Sequence, residues 1–125
     1  LEGTLRVNLQ PKTYAYGKSF EHWIITECYR LNEYKKLDYK FSYLRTKDGA
    51  EVDLVVQRPG KSELLLEIKS TDLVLDKHVK NLNVFSNDWD KKAEAELWSL
   101  DPIEKKIGNV SCLPWNIGLK KLMDI

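Results

Sequence analysis

The chain has 125 residues, of which 42% are hydrophobic and 31% are charged, and its formal net charge is +1. This composition excludes an intrinsically disordered chain and predicts one globular domain with a buried core. A chain so close to neutral has no overall attraction to nucleic acid or to anionic membranes, so any such binding depends on a local patch.

The cysteines and the apolar runs indicate the cellular setting. Cys28 and Cys112 lack the spacing of metal ligands, and we expect them to be reduced core thiols of a cytoplasmic protein. No apolar run approaches the ~18 residues of a membrane span, and no signal peptide is recognisable. Because the chain begins at Leu1, we expect a fragment in which residues 1–16 are a linker or tail from an upstream module and residues 17–125 are the domain.

A helical pattern begins at Ser19. The apolar spacing of Phe20, Ile24 and the residues that follow predicts a helix to about Tyr34, with Ser19 as its N-cap. Glu21 would lie in the first turn of this helix. There a carboxylate complements the positive end of the helix dipole, which is an ordinary structural role and the alternative to a functional one.

Three strand-forming segments follow the helix. They cover residues 39–45, 51–57 and 63–69 and are separated by an Asp48-Gly49 turn and a Pro59-Gly60 turn. They predict a three-stranded antiparallel meander.

The remaining elements predict an α/β domain. A helix is expected from Asp76 to about Asp88, a strand over 95–100, a further strand within 105–115 and a short helix over 118–123. The predicted fold is therefore a helix, a three-stranded meander, a helix and a strand, in a mixed sheet flanked by helices.

Charged residues occupy strands that otherwise have the composition of buried strands. Strict alternation puts Asp53 and Val55 on one face of the second strand, opposite Val52. A hairpin centred on Gly60 would place Asp53 directly across from Glu67. Because opposed Cβ atoms are only ~5 Å apart, two carboxylates there would repel each other unless a cation lies between them.

The residues Asp53, Glu67 and Lys69 form the pattern D-x(n)-E-x-K, and the chemistry of metal-assisted phosphodiester hydrolysis would explain each of these residue types, although the bare pattern recurs in many charged chains. Two carboxylates and the backbone carbonyl of Ile68 would hold Mg²⁺ or Mn²⁺ with its waters. Such a metal activates a bound water, and Lys69 would orient that water or stabilise the charge that develops on the phosphate. Glu21 would hold the water shell or a second metal.

The same residues have an ordinary interpretation. Asp53, Glu67 and Lys69 could face solvent, with Lys69 in a cross-strand ion pair. Against this, the apolar runs 54–56 and 64–66 indicate burial on both faces of the sheet. Arg45, at the end of the first strand, would neutralise a carboxylate or contact a phosphate, and a plain surface arginine is equally compatible with its position.

The order of these motifs resembles the PD-(D/E)XK (restriction-endonuclease-like) superfamily. The resemblance is carried by Phe20-Glu21, Tyr43-Leu44-Arg45, Gly49-Ala50-Glu51-Val52-Asp53 and Glu67-Ile68-Lys69-Ser70. With Tyr16-Gly17-Lys18-Ser19 added, the chain is more narrowly similar to an uncharacterised domain found at the C-terminus of prokaryotic AAA-type ATPases.

This resemblance implies a restriction-endonuclease-like core and metal-dependent nuclease activity. It carries Asp53, Glu67 and Lys69 onto the catalytic positions of the superfamily and Glu21 onto its helix acid. It also implies Mg²⁺ or Mn²⁺ as the cofactor, nucleic acid as the substrate and an ATPase module upstream in the same chain. The chain departs from the superfamily pattern at Val52, where the proline that precedes the aspartate would stand.

Three hypotheses of function remain open from the sequence. The first is a Mg²⁺-dependent nuclease domain attached to an ATPase. The second is a catalytically silent module of that ATPase that binds nucleic acid or a partner protein. The third is an oligomerisation domain, for which four Trp and six Tyr supply apolar surface.

Overall fold

The structure is a computed structural model, and it describes residues 14–45, 51–89 and 91–125. The elements in chain order are helix α1 (Tyr14–Lys35), strands β1 (Lys40–Arg45), β2 (Glu51–Gln57) and β3 (Glu63–Ile68), helix α2 (Asp76–Asp88), strands β4 (Ala93–Ser99), β5 (Lys105–Ile107) and β6 (Val110–Pro114), and helix α3 (Trp115–Met123).

These elements form one mixed sheet with helices on its faces. The strand order is β1-β2-β3-β4-β6-β5. The first three strands are antiparallel, β4 runs parallel to β3, and β6 runs parallel to β4. The predicted α/β fold, with a helix, an antiparallel meander, a helix and a strand, is confirmed.

The segment predicted as one strand within 105–115 is instead two strands. Gly108 has a φ of 63°, and this left-handed conformation turns the chain back on itself. Strand β5 therefore pairs antiparallel with β6 at the edge of the sheet. The prediction missed this turn because it treated the apolar residues on both sides of Gly108 as one continuous run.

Both faces of the sheet are buried, as the apolar runs indicated. One face packs against α1 and α3 and includes Leu54, Leu66 and Ile68. The other face packs against α2 and includes Val55 and Leu65. Burial on both sides explains why β3 has an almost unbroken apolar sequence.

Helix α1 begins earlier than the sequence predicted. It starts at Tyr14, so Ser19 lies inside the helix rather than at its N-cap, and Glu21 lies in the second turn. The dipole role considered for Glu21 is weakened because that effect is confined to the first turn. Of the predicted linker, residues 14–16 belong to α1, and residues 1–13 lie outside the described part of the chain. The predicted turn at 47–50 also lies outside it.

The pairing of β1 with β2 contains a register shift. The pairs on either side of it, Ser42 with Val55 and Leu44 with Val52, leave the single residue Tyr43 of β1 opposite two residues of β2. This is the geometry of a β-bulge, which re-aims the side chains of the strand that carries the extra residue.

The two residues in the bulge are Asp53 and Leu54. Strict alternation predicted Val52 on the face opposite Val55, and this prediction is wrong. Both valines pack in the cluster under α2, whereas Leu54 packs in the cluster on the α1 side. The extra residue in the bulge reverses the alternation at this point and so changes the face toward which Asp53 is directed.

Helix α3 lies very close to β4. A Cβ atom on Gly118 would collide with the indole ring of Trp98, which is fully buried. The indole Nε1–H donates to Glu96 Oε1 over 3.0 Å, and Lys121 Nζ donates to Glu96 Oε2 over 2.8 Å. The glycine therefore allows α3 to approach closely enough for Lys121 to reach the buried carboxylate.

This contact makes Gly118→Ala a test of the α3 packing. Glycine to alanine within a helix normally stabilises by ~1 kcal/mol. Here we expect the free energy of unfolding to fall by about 1–3 kcal/mol, because the added methyl group has no room beside the Trp98 ring. Urea unfolding measures the change. The exposed neighbour Lys120 offers a matched control, since Lys120→Ala should change stability by less than about 0.5 kcal/mol. An unchanged or higher urea midpoint for Gly118→Ala would contradict the packing.

Candidate functional site

The hairpin of β2 and β3 has the predicted register. Leu54 pairs with Leu66, and the two following pairs continue toward the turn at Gly60, whose φ is 73°. The pairing stops one step before Asp53 and Glu67, at the bulge. The sequence therefore predicted correctly which two strand segments run side by side up to the carboxylates.

At that step the side chain of Asp53 replaces a backbone acceptor. The N–H of Ile68 donates to Asp53 Oδ2 over 2.8 Å. Hydrogen bonds to the charged form of a carboxyl group favour that form and hold its orientation. Asp53 is therefore fixed against the end of β3, at the residue between Glu67 and Lys69.

The backbone of β3 also indicates where the Ile68 carbonyl points. The next N–H along, that of Lys69, donates to the Trp98 carbonyl of β4 over 2.9 Å. Ile68 and Lys69 therefore direct their backbone groups to opposite neighbours. Because the N–H and C=O of one extended residue face the same neighbour, the Ile68 carbonyl is directed toward the Asp53 side. This direction suits the predicted role of that carbonyl as a metal ligand.

Glu67 and Lys69 form an ion pair at the end of β3. Lys69 Nζ lies 3.2 Å from Glu67 Oε2, and Glu67 is only 8% exposed. Burial lowers the pKa of Lys69, but the negative charges of Glu67, Asp53 and Glu21 outweigh it and raise that pKa above its usual value. Lys69 is therefore a cation at neutral pH. This partner of Lys69 lies two residues earlier in the chain, near the end of β3, rather than on the neighbouring strand.

Glu21 joins this group from helix α1. Burial of its half-buried side chain, followed by the negative charge of Asp53, raises the pKa of Glu21 to about 7, with a smaller contribution from Glu67. Lys18 and Lys69 act in the opposite direction. The four predicted site residues thus lie close enough to influence one another's charge, although they come from a helix and two strands.

A close approach of α1 to the end of β3 brings Glu21 there. A Cβ atom on Gly17 would lie 3.1 Å from Ser70 Oγ, a separation that few side chains tolerate. Ser70 directly follows Lys69 in the chain. Gly17 therefore allows the first turns of α1 to lie against the segment that leaves β3, and Glu21 follows one turn later.

The cleft at this end of the sheet has a volume of about 490 Å³. Glu21 and Lys69 line it together with Lys77 and His78 of α2. His78 Nδ1 accepts the N–H of Leu75 over 2.8 Å. Burial lowers the pKa of His78, and the charges of Lys77 and Lys69 lower it further, so the imidazole is neutral at pH 7. Asp72 lines the cleft as well, so two acidic side chains stand beside the two lysines, and we call it the Glu21 cleft.

Asp101 holds the loop that forms one wall of the Glu21 cleft, and the sequence pattern assigned this residue no role. The Val74 N–H donates to Asp101 Oδ2 over 2.9 Å, and Lys105 Nζ lies 2.9 Å from the same oxygen. The Val74 and Ile103 N–H groups, with Lys105, lower the pKa of Asp101 to about 2. The Asp101-Pro102 pair after β4 was a usable signal, since aspartate is a common acceptor for backbone N–H groups in turns.

The donor atoms determine what kind of metal site is compatible with this arrangement. Among the described residues, no three acidic, histidine or cysteine side chains are arranged to hold a metal ion together. A site with two carboxylates, Asp53 and Glu67, and the Ile68 carbonyl needs no such cage. Mg²⁺ typically uses one or two carboxylates and keeps several waters. Hard oxygen donors of this kind are compatible with Mg²⁺ or Mn²⁺.

One further candidate stays a prediction. Arg45 is the last residue of β1 and pairs with Glu51 at the backbone, but the side chains of both lie outside what the structure describes. Its proposed contact with a phosphate is therefore not located.

Comparison with known families identifies the class of domain. The family described as a domain of unknown function (DUF4143) matches residues 16–115, which include Glu21, Asp53, Glu67 and Lys69. The chain belongs to this family. No curated protein and no solved structure matches this chain. In the part of the chain that the structure describes, every helix is too short or too polar to cross a membrane.

The raised pKa of Glu21 predicts a pH-dependent stability in buffer that contains a metal chelator. Between pH 4.5 and 7 the unfolded chain loses the Glu21 proton more readily than the folded chain, so Glu21 opposes folding as the pH rises. Glu21→Gln removes this effect. Relative to the wild type, the variant should gain about 1 kcal/mol in unfolding free energy between pH 4 and pH 8, allowing for screening by solvent.

Urea unfolding at a series of pH values measures this difference. The surface residue Glu27, whose carboxylate pairs with Arg30 over 2.8 Å, offers a matched control on the same helix. Because the Arg30 hydrogen bond lowers the pKa of Glu27, Glu27→Gln should lose stability relative to the wild type as the pH rises. A Glu21→Gln variant with the same pH trend as Glu27→Gln would show that Glu21 is not among the other carboxylates.

Proposed function

We propose that this domain is a metal-dependent nuclease-like domain of the PD-(D/E)XK type, which hydrolyses phosphodiester bonds. The observation that carries the proposal is the hydrogen bond from the Ile68 N–H to Asp53. It brings one carboxylate of β2 to the residue between Glu67 and Lys69, which is the arrangement that the motif requires. Glu21 of α1 completes the set.

The fold supports the same proposal. A helix with an acid, an antiparallel meander with the D and E-x-K residues, a crossover helix and a parallel strand follow the order that the superfamily resemblance implies. A fold alone does not define a reaction, because one scaffold can carry many functions. The proposal therefore depends on the site residues, with the order of elements as secondary support.

The residues of this chain would divide the chemistry among them. Asp53, Glu67 and the Ile68 carbonyl would hold Mg²⁺ or Mn²⁺. When bound, such an ion supplies positive charge to the phosphate and lowers the pKa of a coordinated water. Lys69, a cation at neutral pH, stabilises negative charge that develops on a phosphate oxygen. The Glu21 carboxylate would hold a water of that ion.

The wider context is part of the proposal as well. The similarity over Tyr16 to Glu21 and over the two strand motifs supports a place at the C-terminus of an AAA-type ATPase in the same chain. Nucleic acid is then the ligand, and the cytoplasm is the compartment. An ATPase module would supply the movement along or around the nucleic acid that a hydrolytic domain of this size lacks.

Isosteric variants test the site without removing its structural contacts. Asp53→Asn keeps an oxygen for the Ile68 N–H but removes the charge, and Glu67→Gln is its counterpart. We expect each to weaken Mn²⁺ binding, measured by calorimetry, by about tenfold or more, because loss of even an outer partner of a ligand costs about 10–100-fold. Lys69→Ala should retain Mn²⁺ but slow cleavage by about 10²–10³-fold.

Glu104→Gln is the matched control, because Glu104 is an exposed acid outside the site. Cleavage is assayed with Mg²⁺ or Mn²⁺ on single-stranded, duplex and branched DNA and RNA. If the wild type cuts none of these, the nuclease proposal fails. Nucleic-acid binding that survives Asp53→Asn and Lys69→Ala, with a steep dependence on salt, would instead support a catalytically silent binding module.

A further inference from the structure

A positively charged surface lies at the end of the sheet where β4 and β6 begin, and the proposed chemistry does not use it. Two pockets with volumes of about 500 and 240 Å³ form this surface, and they are continuous because Glu94 and Glu96 line both. The cations that line them are Lys91, Lys92 and Lys106 in the larger pocket and Arg58, Lys61 and Lys121 in the smaller one. We call this set of cations the cationic surface.

The two acids of these pockets already have partners within the cationic surface. Glu96 is only 3% exposed, and its oxygens accept the Trp98 indole N–H over 3.0 Å and Lys121 Nζ over 2.8 Å. The Glu94 carboxylate lies 3.4 Å from Arg58 Nη2. Two of the cations therefore balance the two acids, and the remaining four lysines give the described lining a net positive charge.

These four lysines, Lys61, Lys91, Lys92 and Lys106, are all exposed to solvent. Asp88, three residues before Lys91 in the chain, lines neither pocket. The chain as a whole has a formal net charge of only +1, so a local patch of this kind is what binding of a polyanion requires.

The strands arrange polar donors in a row across this surface. Ser111 of β6 pairs with Glu96 of β4 on one side and with Lys106 of β5 on the other. Because neighbouring strands are ~4.8 Å apart, this row of three residues spans ~10 Å. Lysine ammonium groups and serine hydroxyls are donors that proteins use to contact phosphate oxygens.

The cationic surface is distant from the proposed metal site. Strands β3 and β4 are parallel, with Glu63 beside Ala93 at their start and Ile68 beside Trp98 near their end. Five residue steps along an extended strand cover ~17 Å, so a ligand that contacts both places is at least about that long. Along a duplex, where each strand carries one phosphate per ~3.4 Å, this length corresponds to about five base pairs.

We propose that the cationic surface binds the phosphate backbone of nucleic acid, about five base pairs away from the phosphate that reaches the proposed site. The proposal rests on the proposed function, because that function makes nucleic acid the ligand and Asp53 the position of the reacting phosphate. A flat anionic membrane is a poorer partner, since the surface is concave. A phosphate backbone presents evenly spaced anions over the whole surface, and the serine and lysine donors suit its oxygens.

The salt dependence of binding tests this surface separately from the chemistry. The probe is a fluorescein-labelled duplex of about 20 base pairs, titrated in 50 mM and 200 mM KCl with EDTA present. The test variant combines Lys91→Gln, Lys92→Gln and Lys106→Gln. Since each lost phosphate contact lowers the salt slope by about 0.9, wild-type affinity should fall about 40-fold more than that of the variant between the two salt concentrations.

Two control variants separate charge at this surface from folding and from total charge. Arginine at positions 91, 92 and 106 keeps the charges and should retain the wild-type salt slope. The second control combines Lys36→Gln, Lys40→Gln and Lys80→Gln, three exposed lysines that line neither pocket. It should also behave like the wild type. An unchanged salt slope in the test variant, or an equal loss in the second control, would overturn the proposal.

Competition distinguishes nucleic acid from an acidic protein segment. Unlabelled duplex should displace the probe from the wild type at a much lower concentration of charge than polyglutamate does. Equal displacement by polyglutamate would assign the surface to an acidic protein segment and overturn the proposal, as would a wild type that binds no duplex.

A cleavage assay on the same proteins separates this proposal from the proposed function. Duplex binding that depends on the three lysines, without metal-dependent cleavage, would refute the hydrolytic function and leave the cationic surface as a nucleic-acid site. Metal-dependent cleavage that is lost in Asp53→Asn, together with an unchanged salt slope in the test variant, would support the hydrolytic function and refute the role of the surface.

Discussion

The carboxylate of Asp53 accepts the Ile68 N–H where the backbone pairing of β2 with β3 ends, and the rest of the site depends on this hydrogen bond. The bulge opposite Tyr43 lies at this point, and the pairing of β2 with β3 stops at Leu54 and Leu66 although β3 continues to Ile68. The Asp53 side chain therefore accepts the Ile68 N–H, which would otherwise lack a backbone acceptor on β2, and this bond holds the Asp53 carboxylate near Glu67. The same local irregularity directs Asp53 toward α1, which is the element that carries Glu21.

The carboxylates of the site repel one another, which opposes folding and would favour a bound cation. Buried Glu67, half-buried Glu21 and Asp53 gather around Lys69, and the pKa of Glu21 rises to about 7 because burial and its acidic neighbours disfavour its charge. Ionisable groups with strongly shifted pKa values are concentrated at functional sites, because binding and proton transfer need such shifts. A divalent cation among these oxygens would relieve the repulsion, and this is the physical reason for the metal in our proposal.

Much of this arrangement could be predicted from the sequence because it follows from local patterns. The bounds of β2 and its register with β3 depend on a run of strand-forming residues and on the turn at Gly60, and both are as expected. The bulge was not predictable, since nothing in the alternation of β2 shows that Val52 and Val55 share a face. The ring contact of Tyr29 with Phe41 was missed for another reason: Tyr29 belongs to a helix, and only the fold brings it beside β1. The approach of Gly17 to Ser70, which lets α1 lie against the end of β3, is a tertiary contact that a local pattern does not show.

In our proposal, Asp53 and Glu67 form a metal site with the backbone of Ile68. Anomalous diffraction from crystals of the wild-type protein soaked in Mn²⁺ tests this most directly, because it locates the ion without any assumption about the substrate. We expect an anomalous peak within coordination distance of both carboxylates and of the Ile68 carbonyl, with Glu21 reached through water. The absence of a peak there in crystals that take up Mn²⁺ elsewhere, or a peak that contacts neither Asp53 nor Glu67, would contradict it.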